Sequence, residues 1–412
     1  MTATAFVDAR LLDPASGLDE TGVLVARDGA IEALGATVPV PEGAEMVDCA
    51  GHLLAPGLID MRSFAADARS AAAGGVTTAV LMPDGNPVTD NDALVQHLTR
   101  GPAAVRIATM GAATKELAGQ EIAEIGLMAE AGAVGFTDGR RAVANAGVMR
   151  RLLEYSRLFD ALIVQHVEEP GLVNGGAMNE GEVATRLGLG GIPVAAETIM
   201  IERDMRLVAL TGGRYHAAQL SSAEAVDIVR GAKKAGLPVT CGVTPHHLTL
   251  NETAVGDYRT FAKTSPPLRR EADREALVAG LADGTVDVIC SSHDPHDQDA
   301  KRLPFAQAAD GIVGYETLLP LALALHHKGD VPLATVLKAL TATPAALLGL
   351  PGGRLAAGAP ADLVLIDLDA PWRIDVDAFA SPTKNSPFDG LPAQGRVLRT
   401  VVGGRTVFTR GD

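Results

Sequence analysis

The feature that most constrains this chain is an alternation. From about residue 53 onward, eight short apolar runs recur: "GLIDM", "TTAVLMP", "VRIATMG", "AVGFTDG", "LIVQHV", "RYHAAQL", "PVTCGV" and "VDVICSS". Between most of them lies a stretch of helical periodicity, such as "GVMRRLLEYSRLF" or "AEAVDIVRGAKKAG". Neighbouring parallel strands need a long crossover, and a helix is its usual form. Eight strand-plus-helix units over roughly 300 residues predict a closed (β/α)8 barrel, an α/β fold of the TIM type.

The two ends read differently. "TAFVDARLLD" and "GVLVARDGAIEALG" are β-type segments, and Asp28-Gly29 marks a tight hairpin turn. After residue 352 the chain returns to β in "ADLVLIDLD" and "RVLRTVVGGRTVF". The simplest arrangement pairs residues 1–52 with residues 352–412 in a small β-sandwich beside a barrel of residues 53–351. Asp362 and Asp367 are expected there as exposed strand-edge charges.

Bulk properties exclude several classes. A net charge of −15 disfavours nucleic acid and anionic lipid as partners. Aromatic residues make up only 3%, so no base-stacking platform is expected. No apolar run reaches membrane-spanning length, and "MTATAFVDAR" lacks the basic and apolar regions of a signal peptide. The three cysteines, Cys49, Cys241 and Cys290, are too scattered for a disulfide framework or a zinc knuckle, which fits a reducing compartment. Cys290, inside an apolar strand, reads as core. A cytoplasmic protein with no membrane association is the expectation.

Barrel enzymes work at the carboxyl ends of their strands. Those ends here carry Asp60, Asp84, Asp138, His166, Gln219, Ser292 and His293. Half of that set is weak chemistry, because Gln and Ser are poor metal ligands and an Asp at such a place also caps helices.

Several stretches resemble the dihydroorotases of the amidohydrolase superfamily: "AAAGGVTTAVLMPDGNPVTDN" (71–91), "AVGFTDG" (133–139), "MNEGEVATRLGLGGIP" (178–193), "VTPHHL" (243–248), "SPPLR" (265–269), "GIVGYET" (311–317) and "SPTKNSPFDG" (381–390). The resemblance spans nearly the whole chain. It implies a zinc-dependent hydrolase of pyrimidine biosynthesis, with metal ligands at Asp138 and His166 and a substrate pocket around Asp84, Asn86, Ser265 and His293.

The resemblance also shows what is missing. The family's His-x-His pair after the first strand is absent, and the chain reaches "AAAGG" roughly a dozen residues early. Arg62 in that stretch reads as a solvated side chain. Gln219 stands where a third histidine ligand is expected. His216, three residues earlier, is expected on the opposite strand face and so no substitute. Ser292 stands at the position of the aspartate that serves as general base, and a serine hydroxyl does not accept a proton from bound water near neutral pH. Asp84 and Ser265 replace two asparagines of the substrate pocket. With two ligands left of a site that needs at least three, no cofactor is expected beyond a residual or adventitious zinc.

Three readings follow. The first is a catalytically inactive dihydroorotase-like protein, a structural partner of aspartate carbamoyltransferase, as the resemblance to the family's non-catalytic paralogues implies, and itself a homo-oligomer such as a dimer. The second is an active cyclic-amide hydrolase with a rebuilt mononuclear site, drawn from His166, Asp138 and one of His246, His247, His293, Asp294 or His296. The third is a small-molecule binding protein that uses the emptied barrel mouth, with Arg62, Asp84, Asn86 and Ser292 as its polar contacts.

Overall fold

The computed structural model describes residues 3–101 and 103–411; Met1, Thr2, Pro102 and Asp412 lie outside the description. All eight expected barrel strands are present: Leu58–Ser63, Val76–Leu81, Arg106–Thr109 (resumed at Gly111–Ala112), Phe136–Thr137, Ile163–Gln165, Tyr215–Ala217, Val239–Val243 and Val288–Ile289. Each pairs in parallel with the next. A bridge between Ser63 and His293 closes the ring, with the Phe64 amide donating to the His293 carbonyl at 2.9 Å. The third strand breaks at Met110. Its Gly111 lies so close to Phe136 and Met128 that a Cβ there would meet both at 2.9 Å.

Alternation along each strand divides the side chains between two cores. Met61, Val80, Met82, Met110, Val164 and Val288 fill the barrel interior. Outward residues such as Leu58, Val76, Ile163 and Val243 pack under the helical ring. Cys290 is in the interior set, as its apolar strand implied, with its thiol against the Val243 carbonyl. This sorting holds the strand ends in a rigid ring, so the loops that follow are positioned by packing and not by their own sequence.

Both termini build one eight-stranded sheet. Its inner residues, among them Phe6, Leu11, Leu24, Leu54, Leu363 and Val401, close on a single cluster. The expected hairpin is formed, with Asp28 at φ 52° and Gly29 at φ 84° between Leu18–Arg27 and Ala30–Gly35. Two details differ from expectation. Leu53–Pro56, expected in the barrel, belongs to this sheet, lying between Thr4–Asp13 and Leu363–Arg373. An apolar strand flanked by strands on both sides reads from sequence like a barrel strand. Asp362 is no exposed edge charge. It is buried, receives two bonds from Arg106 of the third barrel strand at 2.6 and 3.1 Å, and accepts from the Gly403 amide at 2.7 Å, joining sheet to barrel. No helix among the described residues is long and apolar enough to cross a membrane.

Candidate active site at the barrel mouth

The first strand sets the floor. Asp60 is fully buried and accepts from the amide and hydroxyl of Ser291 at 2.8 and 2.5 Å, tying strand one to strand eight. Burial pushes its carboxyl up to about 6, with the Ser291 bonds pulling the other way. Beyond it, Arg62 and Phe64 line the mouth. Arg62 is not solvated. It is 3% exposed, donates to the Gly139 carbonyl at 3.1 Å, and has only the Met82 thioether at 3.8 Å as its other neighbour of that kind. Its Nε has no partner. The strand's register shifts between Asp60 and Ser63, so Arg62 reaches the mouth although Met61 before it already faces the interior, which a sequence window does not show.

Across the mouth runs a second guanidinium. Arg140 binds Asp294 through two bonds of 3.2 and 2.7 Å, lies 3.6 Å from Asp84, and stacks on the Phe64 ring at 3.7 Å. Asp84 also accepts from the Arg140 amide at 3.0 Å. Its carboxylate sits over Gly139, where a Cβ would fall 1.6 Å from Oδ1, so only glycine fits that position. Burial pushes the Asp294 carboxyl up, but His296 and Arg140 outweigh it and hold the group below its ordinary value. Asp84, expected in a substrate pocket, is thus part of a salt-bridged strap.

Asp138, expected as a metal ligand, is spent elsewhere. Its two oxygens accept from the amide and hydroxyl of Thr114 at 2.8 and 2.5 Å, binding the fourth strand to the loop after the third. Burial lifts its carboxyl to about 6 against those bonds. His166 does reach the mouth. Its Nε2 lies 2.9 Å from Glu168 and 3.1 Å from the Ser265 hydroxyl, which itself donates to Glu168 at 2.5 Å. Ser265 therefore buttresses His166 and does not stand free for a substrate. His166 Nδ1 and Gln219 Oε1 have no protein partner.

The remaining candidates scatter. Ser292 lines the mouth, its backbone at φ 50°. His293 does not. It is fully buried, stacked on Tyr315 at 4.0 Å, and accepts from the Gly314 amide at 3.2 Å. Asn86 is exposed on its loop and is not among the lining residues. His247 is occupied at both nitrogens by Thr244 at 2.7 Å and the Pro266 carbonyl at 3.1 Å, whereas His246 lines the mouth. His216, expected opposite Gln219, faces the interior too. Tyr215 and Ala217 flank it on the outer side, and the strand ends at Ala217, so the bend beyond turns Gln219 inward as well.

Sequence reasoning missed Arg140, Glu168 and Arg269. Arg269 is among the largest fully buried side chains. It donates to Ser221 at 3.1 Å, Asn179 at 2.9 Å and the Ile192 carbonyl at 2.5 Å. Ser221 in turn binds the buried Glu197 through amide and hydroxyl, both at 2.7 Å. The motifs at 178–193 and 265–269 are thus knit together by one guanidinium. An arginine ending the run "SPPLR", next to a second one at Arg270, was the available signal.

These residues do not fit a hydrolytic metal centre. Among the described residues no group of three or more His, Cys, Asp or Glu side chains could hold a metal ion. Asp138 and Asp294 are satisfied by other partners, and a guanidinium, which ligates nothing, occupies the first strand's end. The cavity left at the mouth is about 150 Å³.

An eight-stranded barrel with this mouth and a sheet domain made from both termini is the architecture of amidohydrolase enzymes. In solved structures it is matched by an L-hydantoinase (dihydropyrimidinase) from Arthrobacter aurescens, with a TM-score of 0.90, 26% identity and coverage of 100% of this chain and 97% of that one. A dihydropyrimidinase from Brevibacillus agri shares the fold at TM-score 0.86 and 20% identity, over 99% and 95% of the two chains. A family profile described as dihydro-orotase-like matches residues 43–225, and one described as amidohydrolase family matches residues 232–408. Among curated relatives, a chain named dihydroorotase from Anaplasma phagocytophilum is 44% identical over 98% of this chain and 95% of its own length. Another of that name from Syntrophotalea carbinolica is 42% identical over 98% and 99%. The chain belongs to the dihydroorotase family.

Proposed function

We propose that this chain is a non-catalytic member of the dihydroorotase family that acts in pyrimidine biosynthesis as a structural partner of aspartate carbamoyltransferase. One observation carries the first half: the inward positions at the end of the first barrel strand hold Arg62 and Phe64, and Asp138 is bonded through both oxygens to Thr114. Activating a water for amide hydrolysis takes converging lone pairs and a base, and the ends of the first and eighth strands present a positive charge, a ring and a serine in their place. The partnership rests on the family placement together with the retention of the barrel and its loops without that chemistry. A homo-oligomeric, dimeric state belongs to the same reading.

The test is direct. The chain is purified without chelator, analysed for zinc, and assayed for cyclisation of carbamoyl aspartate in both directions. It is then mixed with aspartate carbamoyltransferase of the same organism. The expected result is no stoichiometric zinc, no turnover, and one complex on gel filtration. A transferase that assembles and works equally well alone would refute the partnership. The alternative, an active dihydroorotase, draws on the 44% identity to a chain of that name; stoichiometric zinc with turnover would establish it.

A further inference from the structure

We propose that the seam between the terminal sheet and the barrel carries a binding site for a tetrahedral oxyanion of the phosphate class, held by Arg396 and Arg410. Three arginines line one recess there: Arg373 at the end of the strand Leu363–Arg373, Arg396 within Pro392–Val402, and Arg410 just past Arg405–Thr409. The helix Tyr315–His327 lines it from the barrel side through Glu316 and Pro320. In a chain of net charge −15, three guanidiniums in one recess need a reason.

Their contacts within the chain do not supply it. Arg373 donates to the Gly390 carbonyl at 2.9 Å, and Arg410 to the Val397 carbonyl at 2.7 Å. The Arg396 guanidinium stacks on the Trp372 ring at 4.7 Å, and its buried Nε meets no acceptor. Among the described residues none of the three is ion-paired. Two carboxylates share the recess, and both are engaged by other groups. Glu316 accepts from the Ser70 hydroxyl at 2.9 Å and from the amides of Ala380 and Ser381 at 3.1 and 3.2 Å. Asp375 accepts the Asp377 amide at 3.1 Å within its own turn. The lining therefore sets three positive charges against two negative ones. Burial, and after it the charge of Arg396, holds the Arg410 guanidinium below its ordinary value, against a weaker pull from Glu316. Two guanidiniums that repel each other are relieved by an anion that bridges them.

Size and charge narrow the ligand. The recess measures about 60 Å³, room for about four waters at ~15 Å³ each, which suits one central atom with four oxygens. Four oxygens offer acceptors to both guanidinium forks, and a second negative charge answers the second arginine. A carboxylate has two oxygens and one charge. The recess shares no lining residue with the barrel mouth, so the site stands whatever the mouth does.

Trp372 is the chain's one tryptophan and lies under Arg396, so its fluorescence reports on this site. The full chain, dialysed free of phosphate, is titrated with inorganic phosphate and with methyl phosphate, against chloride at equal ionic strength and pH. A saturable change in emission is expected, together with a rise in Tm of about 2 °C or more. Tighter binding of the inorganic ion identifies free phosphate as the occupant, and tighter binding of the ester identifies a phosphorylated molecule. Arg410→Gln keeps the Arg396–Trp372 stack and should weaken binding about tenfold or more, as should Arg396→Gln. Arg405→Gln, which removes an exposed arginine outside the recess, should bind like the wild type. No saturable change in emission or Tm with either phosphate overturns the proposal. So does an undiminished affinity in Arg410→Gln, or a loss in Arg405→Gln as large as in Arg410→Gln.

Discussion

Replacing Arg269 with methionine is the perturbation with the largest structural consequence. The guanidinium makes three hydrogen bonds, to Ser221, Asn179 and the Ile192 carbonyl, and is about 2% exposed. It also offsets burial at Glu197, whose carboxyl is pushed up by desolvation and drawn down by Arg269. Removing one member of a buried charged network costs about 3–5 kcal/mol, since the groups left behind stay buried without partners. At about 2.1 cal/mol/K per residue, that loss lowers Tm by about 4–6 °C for a chain of 412 residues. The assay is thermal and urea unfolding by circular dichroism, on Arg269→Met, Arg269→Lys and the double variant with Glu197→Gln. Lysine keeps the charge but cannot span Ser221, Asn179 and Ile192 at once, so it should fall between wild type and methionine. Neutralising Glu197 should restore about half the loss. An Arg269→Met protein melting within about 1 °C of wild type would show that this network is not what fixes these two motifs together.

Other perturbations have equally specific outcomes. Burial depresses the His216 imidazole to about 3, so the folded state releases a proton that the unfolded state keeps below its ordinary 6.5. That stability is present above the ordinary value and is lost as pH falls toward 3. A His216→Leu protein should therefore lose stability between pH 6 and 4 less steeply, by about 1.4 kcal/mol per pH unit, in urea titrations across that range. Asp362→Ala unfastens Arg106, which is half exposed, and strands the Gly403 amide. About 1–2 kcal/mol should be lost in the same assay, with proteolysis between sheet and barrel accelerated. Arg140→Ala frees Asp84 and Asp294 to repel each other across the mouth. Because Arg140 is 41% exposed, stability should fall by about 1–2 kcal/mol, read by urea unfolding.

The fold was legible because its signal is repeated. Each of the eight strands needs only a few apolar residues and a helix behind it, and an ambiguous boundary in one unit is corrected by its neighbours. The one misplaced segment, Leu53–Pro56, is a strand buried between two others, where alternation and length carry no information about which sheet it joins. The departures from the family's motifs at the strand ends are visible in the sequence itself; the direction in which the side chains there run is not. Arg62 and Arg140 look like surface residues in a linear reading. Their inward course depends on a register irregularity between Asp60 and Ser63 and on the glycine at 139 that lets Asp84 sit against the chain. His293 is buried and Asn86 exposed, both off the wall of the mouth: position after a strand fixes the neighbourhood and leaves the direction open.

The contacts among the acids at the mouth share a logic. A closed parallel barrel gathers polar groups at one end, and in a metal enzyme the metal's charge holds acidic and imidazole side chains together against their mutual repulsion. Remove the metal and that ring of acids must either protonate or find another cation. Here Asp84 and Asp294 share Arg140, Glu168 has His166 and Ser265, Asp138 has Thr114 and Asp60 has Ser291. Most of these bonds join segments that follow different strands and so staple the ring, while Asp84 Oδ1 and Glu168 Oε1 keep no partner. Arg62 completes the set from the first strand: buried beside these acids, it donates to the Gly139 carbonyl after the fourth strand and lies over the Phe64 ring at 5.0 Å.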